Sequence, residues 1–99
     1  MISAKIHKNG REILLAACDS ILLGKTINLE NGAKLKISES FYKEKEVSKK
    51  ELIEDAKNCT TANFLGKETI SALIESGTIN KESVMDLNGI PHSQLYKMI

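Results

Sequence analysis

AKIHKNGREILLAAC, residues 4–18, decides the fold. An Asn-Gly pair at positions 9 and 10 separates two stretches of different pattern. Both residues tolerate the positive φ that a tight type I′ hairpin turn demands. Before the turn, Ile2, Ala4 and Ile6 alternate with Ser3, Lys5 and His7, so one face is apolar. After it, Ile13 to Cys18 is apolar at every position. A strand apolar on both sides is covered on both faces, which puts it at the centre of a sheet.

Asn-Gly recurs at 31–32 and 88–89, each pair flanked by apolar stretches, and three hairpins are expected. In the second, Ile27, Leu29, Leu35 and Ile37 alternate with Asn28, Glu30, Lys34 and Lys36. That pattern predicts one wet face carrying Lys34 and Lys36. DSILLGK (19–25) joins the first two hairpins. It reads as a short turn capped by Asp19, with Leu22 and Leu23 inward and Gly24 as its stop.

Helices fill the middle. Ser48 and Glu51 form a capping box before Leu52, Ile53, Ala56 and Cys59 at helical spacing. A second helix is expected near Lys67 to Ser76, with Ile70, Leu73 and Ile74 inward and Gly77 ending it. Between them NCTTANFLG (58–66) is polar and turn-rich and reads as a loop, the kind of segment that carries function. Asn80 caps a single turn before the third hairpin.

Pro91 is the single proline. With Asn88-Gly89 as the loop, Leu87 and Ile90 form a hydrogen-bonded pair. Pro91 then opposes Asp86, and its missing N–H points away from that partner. On an edge strand nothing would be lost, and the ring would blunt the edge. Alternation sets His92 opposite Met85, with Gln94 on the same face. The alternative starts a helix at Pro91, with Leu95, Met98 and Ile99 inward.

A chain of 99 residues is one domain, 1–99, with enough core to fold without metal or disulfide. Aromatics make up 4% and there is no Trp, so the core is aliphatic. The net charge of +1 gives no bulk case for nucleic acid. Its distribution is uneven: residues 1–36 carry six basic and three acidic side chains, the rest eight basic and ten acidic. No stretch approaches the eighteen or so apolar residues of a membrane span, and MISAKIHKNGRE lacks the apolar core of a signal peptide. A cytoplasmic protein without membrane partners is expected, its Cys18 and Cys59 serving as reduced, buried hydrophobes.

Several residues carry possible chemistry. Lys25 in GKT echoes a phosphate-binding loop, but the upstream glycine is missing and no long helix follows. It reads as a solvated strand-start charge. Cys18, Asp19 and His92 are the residue types of nucleophile, orienting acid and base, yet a thiol ending an apolar strand is not activated by burial. His7, Cys18, Cys59 and His92 lack the close spacing that pre-sets two zinc ligands, so neither metal nor cofactor is expected. His92 and Gln94, near Asn63 of the expected loop, form a polar cluster able to read a base edge, a peptide or a phosphate. The alternative is a His92 ring satisfied by a backbone carbonyl at the sheet margin.

CDSILLGKT (18–26), ISESFY (37–42), TTANFLG (60–66), ALIESGTI (72–79) and GIPHSQ (89–94) together resemble the archaeal domain-of-unknown-function family 424. The resemblance spans nearly the whole chain in order, with Ser93 standing where the family tends to have Ala. It implies an archaeal, cytosolic protein with loose ties to translation-related genes. It implies no catalytic residues, since none are established for the family.

The sequence thus predicts an α+β fold, a mostly antiparallel hairpin-built sheet with two helices packed on it. The expected function is a module binding RNA or a ribosome-associated ribonucleoprotein. Lys25, Lys34 and Lys36 would meet phosphates, with Lys5, Lys8 and Arg11, while Asn63, His92 and Gln94 would give specificity. The alternatives are a small hydrolase or transferase using His92 with Cys18, and a protein-interaction adaptor using the sheet edge. The amides of Ile13–Cys18 are expected to exchange with solvent more slowly than those of residues 48–58. Native-state hydrogen exchange checks this, and faster exchange in Ile13–Cys18 contradicts a central strand.

Overall fold

The computed structural model describes residues 1–97. The strands are β1 (Ile2–Asn9), β2 (Glu12–Asp19), β3 (Thr26–Asn28), β4 (Lys34–Lys36), β5 (Lys45–Val47), β6 (Thr61–Leu65), β7 (Met85–Leu87) and β8 (Ile90–Tyr96). The helices are α1 (Glu39–Tyr42), α2 (Lys49–Asn58) and α3 (Lys67–Glu75). Single 3₁₀ turns occupy Ser20–Leu22 and Lys81–Ser83.

The fold is α+β, and the main sheet has the order β5-β1-β2-β6-β8-β7. β2, apolar from Ile13 to Cys18, lies inside it, as that pattern requires. The sheet is mixed rather than hairpin-built throughout: β2 and β6 run parallel, Leu14 facing Thr61 through Cys18 facing Leu65. Parallel neighbours need a long crossover. Here the chain between them carries the second hairpin, α1, β5 and α2. The β3–β4 hairpin forms its own two-stranded sheet. There are three α-helices rather than two, the extra one being the single turn α1.

Each face of the sheet has its own core. On one, α2 and α3 cover Ile2, Ala4, Leu15, Ala17 and Phe64. On the other, the β3–β4 hairpin and α1 bring Ile27, Ile37 and Tyr42 onto Ala16, Cys18 and Leu65. The Ser48–Glu51 capping box forms as expected, and Leu52 and Ala56 are the buried positions of α2. Lys97 closes the other end of α2, its Nζ donating to the Ala56 and Lys57 carbonyls at 2.6 and 2.8 Å. A cation there also complements the negative end of the helix.

Two turns differ from their expected form. The first hairpin closes through Gly10-Arg11, pairing Asn9 with Glu12, and Gly10 (φ 62°) takes the glycine position of a type II′ turn. An Asn9-Gly10 loop would have paired Lys8 with Arg11, whereas Lys8 faces Ile13. The shift is two residues, so the faces are unchanged. In the second, Glu30-Asn31-Gly32 forms a three-residue loop. Leu29 exchanges backbone bonds with Gly32 and Ala33, and Gly32 takes the left-handed position.

The third hairpin is paired as predicted: Leu87 with Ile90, Asp86 with Pro91, Met85 with His92. This rules out a helix from Pro91; Met98 and Ile99 lie outside the described residues. But β8 is not an edge strand. It lies between β6 and β7, and β7 forms the edge. Pro91 fits for a different reason. Its carbonyl accepts from Gly66 N at 2.9 Å, while the Gly66 carbonyl accepts from Ile70 N in the first turn of α3. A donor at position 91 would find that acceptor already turned into the helix.

Asp19 corrects another expectation. It makes no side-chain cap on the turn that follows it. Instead Oδ1 accepts from Thr69 N and Thr69 Oγ1, both at 2.8 Å, and Oδ2 accepts from Glu68 N at 3.1 Å. Asp19 therefore caps α3 from the end of the neighbouring parallel strand. Gly66 leaves room for it: a Cβ there would lie 2.4 Å from Asp19 Cγ. Asp19→Ala is expected to cost about 1–2 kcal/mol, as loss of a helix cap does. Gly66→Ala should cost more, because it combines a clash with a strained φ of 113°. Urea denaturation of both variants and the double mutant checks this. The double mutant should lose less than the two single losses together, since removing Asp19 relieves the clash.

Candidate functional site

The hairpin and α1 cover only part of their face of the sheet, and two cross-strand rows run from the covered part, where Ala16 is buried, to an open part that is mostly polar. One row runs His7, Leu14, Thr61, Tyr96; the next runs Lys5, Ala16, Asn63, Gln94. Tyr96 is 73% exposed and Gln94 is exposed, while Thr61 and Asn63 are half-buried. At the β1 end the rows are closed off. His7 stacks on Phe41 at 4.9 Å and bonds its carbonyl at 2.8 Å, and Lys5 reaches the Ser40 carbonyl at 2.9 Å.

Asn63 is at the centre. The sequence pattern places it on a loop, but TANFL forms the inner strand β6. Ala62 and Phe64 alternate into the helix-side core, leaving Thr61 and Asn63 on the open face. That period of two is present in the sequence; the polar residues around it mask it. Asn63 faces Gln94 across the β6–β8 pair. Its Oδ1 accepts from Tyr42 Oη at 3.1 Å and lies 3.0 Å from His92 Nε2. The His92 ring is therefore held by a side chain, and not by a backbone carbonyl.

Burial sets the protonation of this cluster. It pushes the Tyr42 phenol up to about 12, helped by the neighbouring Cys18, so the hydroxyl keeps its proton. Burial also lowers the His92 pKa, favouring the neutral ring. Tyr42 is a site residue that sequence reasoning missed. Its one signal is its place beside Phe41, half of the aromatic residues of the chain in one dipeptide.

A recess of about 190 Å³ opens beside the cluster, lined by Lys36, Ser38, Phe41, Tyr42, Asn63 and Leu65 among others. Of the expected phosphate contacts, Lys36 therefore lies at the recess. Lys34 stands two residues away on the same exposed strand, opposite Asn28, and Lys25 is exposed just before β3. The structure thus brings Lys36, Asn63 and His92 together, with Gln94 beside Asn63, and leaves Lys25 and Lys34 on the outer hairpin. A larger recess of about 480 Å³ lies between the turns at 29–31 and 86–89, where the ionisable groups are Glu30 and Asp86. A third lies at the start of α3, where an anion would be welcome, but the Asp19 carboxylate already takes those N–H groups.

Cys18 is fully buried, and burial, with the charge of Asp19, pushes its thiol up to about 12. Among the described residues it makes no hydrogen bond to His92. Cys59 is buried as well, its pKa raised mainly by burial. Among the described residues no group of three or more His, Cys, Asp and Glu could hold a metal ion, and no helix is long and apolar enough to cross a membrane.

Fold and site define a class: an α+β protein with a mixed sheet, one face sealed by two helices and the other half open around an Asn63 cluster. Within that class the chain belongs to the family described as protein of unknown function (DUF424), whose profile matches residues 7–98. It is similar to an uncharacterized conserved protein from Methanopyrus kandleri, whose crystal structure superposes with a TM-score of 0.82 at 30% identity. The match covers 96% of this chain and 90% of that one. No curated protein matches the chain.

The lowered His92 pKa fixes a sign. The unfolded chain protonates residue 92 near pH 6.5, before the folded protein does. Stability is therefore unaffected by this group above that pH and falls as pH drops through it, until the folded ring also protonates. Thermal melts between pH 7 and 5 should show this loss, and His92→Gln should make it shallower.

Proposed function

We propose that the protein is a binding module for single-stranded RNA, working on RNA or ribonucleoprotein of the translation machinery. The observation that carries this is the open strip of the sheet. An exposed Tyr96 stands beside Gln94 and Asn63, with Lys36 at the margin of the same face. Single-stranded nucleic acid is held by such pairings of an aromatic platform with nearby cations, since every base has a face to stack. Amide side chains beside the platform supply hydrogen bonds to base edges, and the exposed lysines of the β3–β4 hairpin supply contacts to phosphates.

The arrangement disfavours the hydrolase alternative. Its nucleophile would be Cys18, a buried thiol that holds its proton, and its base would be His92, already engaged by Asn63. Nothing comparable speaks against a protein partner at the β7 edge, and salt dependence separates that reading from RNA.

Fluorescence anisotropy with short single-stranded RNA at several salt concentrations tests the proposal. Affinity should fall with salt. Changing Lys34 and Lys36 together to Ala should flatten the log–log slope by about one for each phosphate that is no longer neutralised. Tyr96→Ala should cost about 1–3 kcal/mol of binding, the usual value of one stacked base, and leave the slope unchanged. A slope untouched by the lysine changes would favour the adaptor reading.

A further inference from the structure

Asn63 carries more information than its position. A side-chain amide presents two donors on nitrogen and two lone pairs on oxygen. Here the oxygen accepts from the Tyr42 hydroxyl at 3.1 Å and faces His92 Nε2 at 3.0 Å. Tyr42 keeps its proton, and a neutral His92 ring facing an oxygen carries its proton on Nε2. Both lone pairs are then used. The Asn63 nitrogen donates to no described residue, and Asn63 lines the recess that Lys36 also lines.

We infer that Tyr42 and His92 lock the Asn63 amide with its N–H donors toward the recess, so that the site selects a nucleobase with a keto oxygen over one with an amino group. This rests on the RNA reading above. On the recess wall Asn63 and Lys36 offer donors only, while the Ser38 hydroxyl, 2.7 Å from Ser40 Oγ, can turn to donate or accept and so does not discriminate. Uracil O4 and guanine O6 accept from such a wall. Adenine N6 and cytosine N4 carry hydrogens there and would meet donor with donor. An asparagine free to turn would read adenine through both amide atoms; the occupied oxygen removes that option. Tyr42 and His92 are positioning residues in this scheme, since they act through Asn63.

The experiment compares short oligouridine, oligocytidine and oligoadenosine by anisotropy at low salt. Wild type should bind oligouridine roughly tenfold more tightly than the other two, the usual cost of an unpaired polar group at a site. Asn63→Asp keeps the shape and both acceptor contacts but removes the donors, and it should abolish the preference. Tyr42→Phe frees one lone pair and should shrink the uridine-to-adenosine ratio while oligoadenosine affinity holds or rises. A merely structural Tyr42 would instead lower all three affinities alike. Circular dichroism confirms that each variant is folded. Equal binding of the three oligomers, a preference for the amino bases, or a ratio unchanged in Asn63→Asp overturns keto selection and leaves the RNA reading standing. No binding of any oligomer overturns that reading and the selection with it.

Discussion

The fold depends on the Asp19 carboxylate lying against Gly66. At that point β2 ends, β6 ends beside it, α3 begins, and β8 passes with its Pro91 carbonyl on the Gly66 N–H. Four elements meet over one residue without a side chain. The cap gives α3 its N-terminal acceptors from another strand, so the helix is fixed to the sheet and not only covered by it. The opposite end of the parallel pair is fastened too. Thr60 N donates to the Ile13 carbonyl at 2.8 Å, and Thr60 Oγ1 accepts from Ile13 N.

That rigid centre explains why the open face can hold a defined geometry. Asn63 sits on an inner strand, between β2, buried from Leu15 to Cys18, and β8. Its backbone is held by ladders on both sides, so its amide is aimed by a scaffold and not by a loop. Tyr42 reaches Asn63 over the same face of the sheet from α1, a single turn packed there by Phe41 on His7. The hairpin and α1 thus serve two purposes: they seal the second core, and they leave a polar strip uncovered at its edge.

Much of this was legible. The alternation in β1, the apolar run of β2, the capping box at Ser48 and the Asn88-Gly89 turn each rest on a few neighbouring residues, and each appears as read. The partner strands of Asn63 were not legible. Its segment is short and polar on one side, which resembles a loop until a neighbour supplies the ladder bonds. Lys45–Val47 was hidden for a similar reason: three residues with two charges form a strand only because β1 offers an edge.

The sequence by itself determined the local elements, the central rank of β2 and the third hairpin with its register, because turn chemistry and side-chain period act within a few residues. Tertiary structure alone decided that β2 pairs in parallel with a strand 47 positions away, that Asp19 caps α3 and not its own turn, and that Tyr42 and His92 converge on Asn63. These interactions join residues that share no local pattern. Their free energy appears only after the chain between them has closed, so no short stretch of sequence records them.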